Sequence, residues 1–363
     1  MIYLDYQATT PLAPEAREAM LPWLGGPVTC DSVGGFANPN SAHRMGRMAA
    51  AAVEVAREQV AALLPPGGRV VFTSGATEAL NLAIFGSGAR RLSVSAIEHA
   101  AVLDTARAAD PDLHLIPVDG EGLVAADAAI PGGTGLVAVM QVNNEIGTIQ
   151  PVEALAEAAH AAGALFLCDA VQGAGKIPAP PGADLIAVSA HKLYGPKGIG
   201  ALWIRDGVEI APVQHGGGQE GGLRSGTLSP ALCAGFGAAA ALCTSLRESD
   251  ARHVENLWTR LLGHFAGWTL NGSATARWRG NCNIRKEGLD VARLMSDCRN
   301  IAISAGSACA SGSGRPSHVL RASGLNDREA KSAIRIGFGR YTGVDQIDQA
   351  AEAILAAASA QGV

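Results

Sequence analysis

The sequence predicts an α/β protein in which a mostly parallel sheet is covered by helices, followed by a smaller carboxyl-terminal α+β domain. Short apolar runs typical of strands alternate with alanine-rich stretches typical of helices, and this alternation favours a parallel sheet. The strand-like runs are 92–96, 136–142, 165–168, 185–189 and 201–204. At 363 residues the chain exceeds one ordinary core, so two domains are expected.

The predicted division places residues 16–250 in a large domain and residues 1–15 with 251–363 in a small one. Residues 42–64 carry Arg and Glu on one side and Ala, Val and Leu on the other, which predicts a long amphipathic helix. Polar residues at 248–252 are predicted to form a turn at the domain boundary. The apolar stretch 231–243 is too short to span a bilayer and is predicted to be a buried helix.

Composition and charge are those expected of an intracellular enzyme. The net charge is −5 and the seven cysteines contain no C-x-x-C pair, so neither a disulfide framework nor a closed zinc site is expected, and no metal is predicted. No basic patch typical of nucleic-acid binding is present, and the opening residues do not resemble a signal peptide. We expect a cytoplasmic protein without nucleic-acid or membrane partners.

Lys192 closely follows the apolar run 185–189, which predicts a lysine at the mouth of a buried strand. Burying an ammonium group is costly unless the group is paired or loses its charge, so such a lysine indicates amine chemistry, for example condensation with an aldehyde. The neighbouring Ser189 and His191 can hold an anion such as a cofactor phosphate. Taken alone, the segment is more typical of a surface lysine after a strand.

Asp169 ends another apolar run, 165–168, and an amide, Gln172, follows three residues later. Ligands of open α/β sheets bind at the carboxyl ends of strands, where a carboxylate can keep a pyridine nitrogen protonated. Alone, Asp169 is as readily interpreted as a helix N-cap. Asp169 and Lys192 together, each closing a strand, favour a pyridoxal cofactor.

A phosphate site is indicated where the run 70–73 passes through Gly75 into a predicted helix beginning with Ala76 and Thr77. Free backbone N–H groups and the helix dipole favour an anion there. A Ser or Thr followed by Glu is also a common helix cap, so this motif is weak by itself. No G-x-G-x-x-G follows an early strand, and no G-x-x-x-x-G-K-[ST] occurs in the sequence, so glycine-rich dinucleotide binding and a P-loop are set aside.

With these segments in place, the chain resembles the cysteine desulfurases of the NifS/IscS type, in the class V aminotransferase-like branch of fold type I pyridoxal phosphate enzymes. The resemblance covers almost the whole chain in family order. It is carried by 3–11, 37–43, 73–78, 98–99, 142–147, 189–198, 215–218, 224–228, 304–311 and 334–335.

The resemblance implies a role for each matching residue. Lys192 holds pyridoxal 5'-phosphate covalently and moves the substrate's α proton, while Asp169 pairs with the ring nitrogen and His99 lies over the ring as a proton shuttle. The other implied cofactor ligands are Gln172 and Asn144 on the ring edge and Ala76, Thr77, Ser189 and His191 at the phosphate. Thr227 corresponds to a residue donated by a partner subunit, which implies a homodimer. Arg335 clamps the substrate carboxylate, with Asn38 assisting.

Cys309 is the residue that separates a desulfurase from its aminotransferase relatives. It lies among Gly, Ser and Ala in the segment 303–314, which has no apolar periodicity, and a thiol on such a segment suits sulfur transfer. A buried structural role fits Cys168, Cys233 and Cys243 better, because these lie in apolar runs. The implied reaction converts L-cysteine to L-alanine and leaves a persulfide on Cys309 for an acceptor such as an iron–sulfur scaffold.

Some features depart from the family pattern or leave alternatives open. Gln7 stands where Asn or Ser is usual, 281–286 is more polar than usual, and the chain stops at Val363 without the tail of scaffold-docking members. A serine hydrolase is conceivable from the Gly-rich segment 215–218, but no G-x-S-x-G elbow occurs in the sequence. A non-catalytic sulfur carrier would require Lys192 to be idle. A selenocysteine lyase or another fold type I lyase would be distinguished by assaying alanine release.

Overall fold

The computed structural model describes residues 1–25, 35–305 and 316–363. The strands are β1 (Ile2–Tyr3), β2 (Gly68–Thr73), β3 (Leu92–Ser95), β4 (His114–Ile116), β5 (Leu136–Ala138), β6 (Leu165–Asp169), β7 (Leu185–Ser189), β8 (Gly200–Arg205), β9 (Thr269–Leu270), β10 (Asn281–Arg285), β11 (Ile301–Ala302) and β12 (Ala333–Gly337).

The described part of the chain contains ten α-helices. They are α1 (Pro14–Met20), α2 (Arg44–Ala61), α3 (Ala76–Gly86), α4 (Ala100–Ala109), α5 (Val152–Ala161), α6 (Pro230–His264), α7 (Val291–Asp297), α8 (His318–Ala322), α9 (Asp327–Lys331) and α10 (Val344–Ser359). A 3-10 turn, Ala190–Lys192, directly follows β7.

The central sheet of the described residues has the order β2-β8-β7-β6-β5-β3-β4. β8 runs antiparallel to both of its neighbours, and the remaining pairs are parallel. The mostly parallel sheet predicted from the alternating pattern is therefore confirmed. The carboxyl ends of β2, β3, β5, β6 and β7 all lie at the same edge, where ligands of such sheets bind.

Both faces of this sheet are covered, which explains why its strands are continuous apolar runs rather than alternating ones. Phe72 and neighbouring side chains face α2, α5 and α6 on one side. Val71 points the opposite way, into a core shared with α3 and α4, as expected from the two-residue period of a strand. The result is a sheet sandwiched between two helical layers.

A second core lies towards the carboxyl terminus. It is formed by Leu4, the second half of α6, α7, α10 and the antiparallel sheet β12-β10-β9. β1 pairs in parallel with β11, which brings the amino-terminal segment to this second core. The predicted turn at 248–252 is wrong, because these residues lie inside α6.

Helix α6 is a single element of 35 residues that contributes to both cores. At 1.5 Å per residue such a helix is roughly 50 Å long, so one rigid rod joins the two parts of the chain. Among the described residues it is the one helix long and apolar enough to cross a membrane, and 44% of its apolar window is buried in the protein. Its packing against α1 and α2 agrees with the predicted buried helix.

Candidate active site

The segments singled out in the sequence meet at the carboxyl edge of the central sheet. They surround a cavity of about 540 Å³. Its lining includes the predicted residues Ala76, Thr77, His99, Asn144, Asp169, Gln172, Ser189, His191, Lys192 and Arg335. Most of them lie at or after the carboxyl ends of β2, β3, β5, β6 and β7, and Arg335 comes from β12, so the fold brings together residues that are up to 259 positions apart in the chain, from 76 to 335.

Asp169 is the last residue of β6 and only 5% exposed. Its Oδ1 accepts a hydrogen bond from the Val171 N–H at 2.9 Å. Burial raises the pKa of the carboxyl above its usual range, while this backbone donor, His99 and Lys192 act in the opposite direction. A cation placed beside Asp169 would favour the carboxylate form, which suits a protonated ring nitrogen.

Lys192 ends the 3-10 turn after β7, and its amine points into the cavity wall formed by the amino-terminal segment. Nζ donates to the carbonyl of Ala8 at 2.7 Å and to the carbonyl of Gln7. Gln172 Nε2 also donates to the Gln7 carbonyl, at 3.0 Å. The sequence analysis quoted segment 3–11 but assigned no role to these two carbonyls, because backbone groups leave no residue-type signal.

Another part of the cavity suits an anion. Helix α3 begins at Ala76 after Gly75, and no side chain caps it, so its first N–H groups are unsatisfied by the helix. Ser189 and Lys197 also line the cavity. Burial and three nearby lysines lower the pKa of His191 to about 4, so its imidazole is neutral at pH 7 and can donate through one ring nitrogen.

Arg335 lies on β12 and is 1% exposed. Its Nη2 donates to Asp5 Oδ1 at 2.7 Å and its Nη1 to the Asn144 carbonyl at 3.0 Å. Its Nε has no hydrogen-bond partner among the described residues. A buried donor without a partner is costly, and a carboxylate in the cavity would satisfy it.

His99 is the N-cap of α4, where its Nδ1 accepts from the Ala101 N–H at 3.0 Å. This bond fixes Nδ1 as the acceptor, so a proton of the neutral ring resides on Nε2. The preceding Glu98 is fully buried. Its Oε1 accepts from Ser95 Oγ at 2.5 Å and from the Met140 N–H at 2.7 Å, and burial raises its pKa to about 8.

Two of the predicted site residues do not line this cavity, and a third lies outside the described residues. Asn38 is exposed and its Oδ1 accepts from the Asn40 N–H at 2.9 Å. Thr227 is also exposed and does not line the cavity of its own chain. Cys309 lies outside the described residues. The described cysteines are all buried, namely Cys168, Cys233, Cys243, Cys282 and Cys298, and burial raises the pKa of the Cys168 thiol.

The residues present fit pyridoxal phosphate. A buried carboxylate, a lysine amine and an uncapped helix start border one cavity. Gln172 Oε1 is buried without a partner among the described residues, so this amide is not fully hydrogen-bonded in the cavity wall. No cluster of metal-ligating side chains occurs in the described part of the chain.

Comparison with known proteins assigns the family. The model of the class-V aminotransferases matches residues 2–350. A cysteine desulfurase IscS of Rickettsia akari is 40% identical, over 97% of this chain and 90% of its own length.

Solved structures agree with this assignment. A NifS-like protein superposes with a TM-score of 0.87 at 32% identity, covering 97% of this chain and 98% of its own. A protein described as SspA in complex with cysteine gives a TM-score of 0.80 at 35% identity, covering 94% and 100%. The chain belongs to the class-V aminotransferase family and, within it, to the NifS/IscS-type cysteine desulfurases.

Proposed function

We propose that this protein is a pyridoxal phosphate-dependent cysteine desulfurase that converts L-cysteine to L-alanine and passes the sulfur on through Cys309. The main support is that Lys192, Asp169 and Arg335 border one cavity. The buried Nε of Arg335 also lacks a hydrogen-bond partner among the described residues. An amine, an acid for a ring nitrogen and a carboxylate clamp are what an amino-acid enzyme with this cofactor requires.

The cofactor would be held by residues on several strand ends. Lys192 would attach it, Asp169 would pair with the ring nitrogen, and Gln172 and Asn144 would contact the ring edge. The helix start at Ala76 and Thr77, with Ser189 and His191, would bind the phosphate. When bound, pyridoxal phosphate supplies an aldehyde for condensation with amines and a ring that withdraws electrons from the substrate.

The chain's own residues would then handle the substrate and its protons. Arg335 binds the α-carboxylate, which fixes the orientation of L-cysteine in the cavity. Lys192 takes the α proton, and its amine is accommodated by the carbonyls of Gln7 and Ala8. His99, with Nδ1 engaged by Ala101, has Nε2 left for proton transfer.

Sulfur transfer would be carried out by Cys309. Its thiolate forms an S–S bond with the substrate sulfur while the Cβ–S bond breaks. The electron pair left on Cβ takes up a proton, which gives L-alanine, and the sulfane sulfur remains on Cys309. No external oxidant is needed, because the substrate carbon is reduced as sulfur is oxidised.

The proposed activity would involve a second copy of this chain and a protein that accepts the sulfur. Thr227 is exposed and outside its own cavity, which suits donation to the site of a second copy in a homodimer. Asn38 is exposed and does not line the cavity. It would assist carboxylate binding only if its segment took up another position, closer to Arg335. An iron–sulfur scaffold or another thiol protein in the cytoplasm would accept the sulfur.

The test is alanine formation by the cofactor-loaded protein. Incubation with L-cysteine and a thiol reductant should give equimolar alanine and sulfide, and borohydride should fix the cofactor onto the peptide containing Lys192. Lys192→Ala should form no alanine, while Lys331→Ala, on the exposed α9, should behave as wild type. Covalent cofactor on another lysine together with retained activity would disprove the assignment of Lys192.

A further inference from the structure

Tyr194 has a backbone conformation that is unusual for its residue type. It lies two residues after Lys192 with φ of 67°. In the described part of the chain only Tyr194 and Glu220 combine a positive φ with a side chain larger than glycine. A bulky residue adopts this left-handed conformation only when its surroundings impose it, and such strain is concentrated at functional sites.

The backbone of Tyr194 is held by the amino-terminal segment. Its N–H donates to Thr10 Oγ1 at 2.8 Å, and that hydroxyl donates to the His191 carbonyl at 3.0 Å. Its carbonyl accepts from the Ala13 N–H at 2.9 Å. The same segment supplies the carbonyls that receive the Lys192 amine, so the turn and its lysine share one support.

The side chain of Tyr194 is held from the other side by Arg340. Its Oη accepts from the Arg340 N–H at 2.9 Å, and the Arg340 guanidinium lies 4.2 Å from the ring centroid. Asp250 of α6 binds this guanidinium at 2.7 Å. Gly339 permits the approach, because a Cβ there would collide with the tyrosine hydroxyl.

Arg340 lies just past β12, the strand that carries Arg335. The side chain of Tyr194 therefore joins the turn of Lys192 to the segment that follows the strand of Arg335, through a hydrogen bond to its hydroxyl and a cation–π contact to its ring. Tyr194 is 5% exposed and does not line the cavity. It thus has no place in direct contact with a substrate.

We propose that Tyr194 is a positioning residue that sets the Lys192 amine relative to Arg335, so that a substrate held by its carboxylate presents its α carbon to the amine. This inference rests on the proposed function. Both features of residue 194 are needed. Its left-handed backbone shapes the turn that carries Lys192, and its hydroxyl fixes the segment after β12 against that turn.

Tyr194→Phe tests the proposal, since it keeps the ring and removes the acceptor for Arg340. The rate constant kcat for alanine formation should fall between about 5- and 100-fold, the range expected for a small misplacement of reacting groups, while KM changes less than about twofold because Arg335 is intact. The deuterium isotope effect on kcat, measured with α-deuterated cysteine, should rise. The visible circular dichroism of the bound cofactor should change as well.

Tyr341→Phe is the matched control. Its ring meets that of Tyr194 edge-to-face with the centroids 5.5 Å apart but is 41% exposed, and the variant should match wild type in all these measurements. A Tyr194→Phe protein that folds and keeps the wild-type isotope effect and dichroism overturns the inference.

Two further outcomes are distinguishable. If Tyr194→Phe fails to fold, Asp250→Asn decides, because it loosens Arg340 without altering the lysine turn and should shift the isotope effect and the dichroism in the same direction. Wild-type values for Asp250→Asn would then overturn the inference. If wild-type protein forms no alanine, the proposed function fails, and the dichroism of the cofactor-loaded variants still decides the role of Tyr194.

Discussion

Asp5 and Arg335, 330 positions apart, form an ion pair of 2.7 Å at the wall of the cavity, with side chains 18% and 1% exposed. The pairing follows from the backbone, because Asp5 forms a bridge with Gly337 on the strand that carries Arg335. The Asp5 carboxylate balances the positive charge of the buried Arg335 guanidinium when no substrate is bound. It also fixes the plane of the guanidinium and leaves Nε for a ligand.

Arg335→Ala is expected to weaken L-cysteine binding by roughly 2 to 4 kcal/mol, as for the loss of a buried charge-assisted contact to the substrate carboxylate. Spectroscopic titration of the bound cofactor with L-alanine and with L-alaninamide measures this effect. Affinity for the carboxylate should fall, and affinity for the amide should change little. Equal losses for both ligands would remove Arg335 from carboxylate recognition.

Asp5→Ala should also raise KM for L-cysteine, by about tenfold, because the guanidinium then keeps only the Asn144 carbonyl and loses its orientation. Asp5→Asn retains an acceptor oxygen and should have a smaller effect. Asp348→Ala is the control, since Asp348 binds Arg260 at 2.6 Å in an exposed pair and should leave KM unchanged. A KM for Asp5→Ala equal to that of wild type would contradict the orienting role.

Cys309→Ser should preserve the cofactor spectrum and substrate binding but abolish sustained alanine formation. A hydroxyl is a far poorer nucleophile towards sulfur than a thiolate and cannot store sulfane sulfur. Wild-type protein treated with cysteine and then alkylated should carry the additional sulfur on the peptide containing Cys309. Additional sulfur on Cys298 or Cys282 instead, or full turnover of the serine variant, would refute this sulfur-transfer step.

Glu98→Gln should change how stability depends on pH. The folded pKa of about 8 lies above the ordinary value, so between pH 4.5 and 8 the folded protein binds a proton that the unfolded chain has lost. The free energy of unfolding of the wild type therefore falls as pH rises through this window, by about 1.4 kcal/mol per unit from this group.

The glutamine variant lacks this contribution, and its Oε1 can accept from Ser95 and Met140 as the acid does. Its melting temperature relative to wild type should rise steadily from pH 5 to pH 8 in the cofactor-free protein. Glu153→Gln, in the first turn of α5, serves as the control. A constant difference across the window would show that Glu98 is ionised throughout.

The positions of most central strands and their mostly parallel pairing were predictable from the sequence. Parallel strands buried on both faces are continuous apolar runs, and Asp169 and Lys192 stand out as a pair because each closes such a run where ligands of open sheets bind. The start of α3 after Gly75 was predictable for a similar local reason. Local chemistry therefore indicated the candidate cofactor site, and the resemblance supplied the remaining predicted roles.

Other features depended on the tertiary structure. Residues 248–252 are polar, yet they continue α6 because packing on two cores outweighs a weak turn signal. The Asp5–Arg335 pair, the carbonyls that hold Lys192 and the left-handed Tyr194 join segments far apart in the chain.

The sequence by itself thus determined which residue types stand at the strand ends, since period and burial are local properties. Only the tertiary structure decided which remote segments support them, because a backbone carbonyl has no residue-type signature. A strained dihedral likewise persists only when contacts from distant parts of the chain impose it.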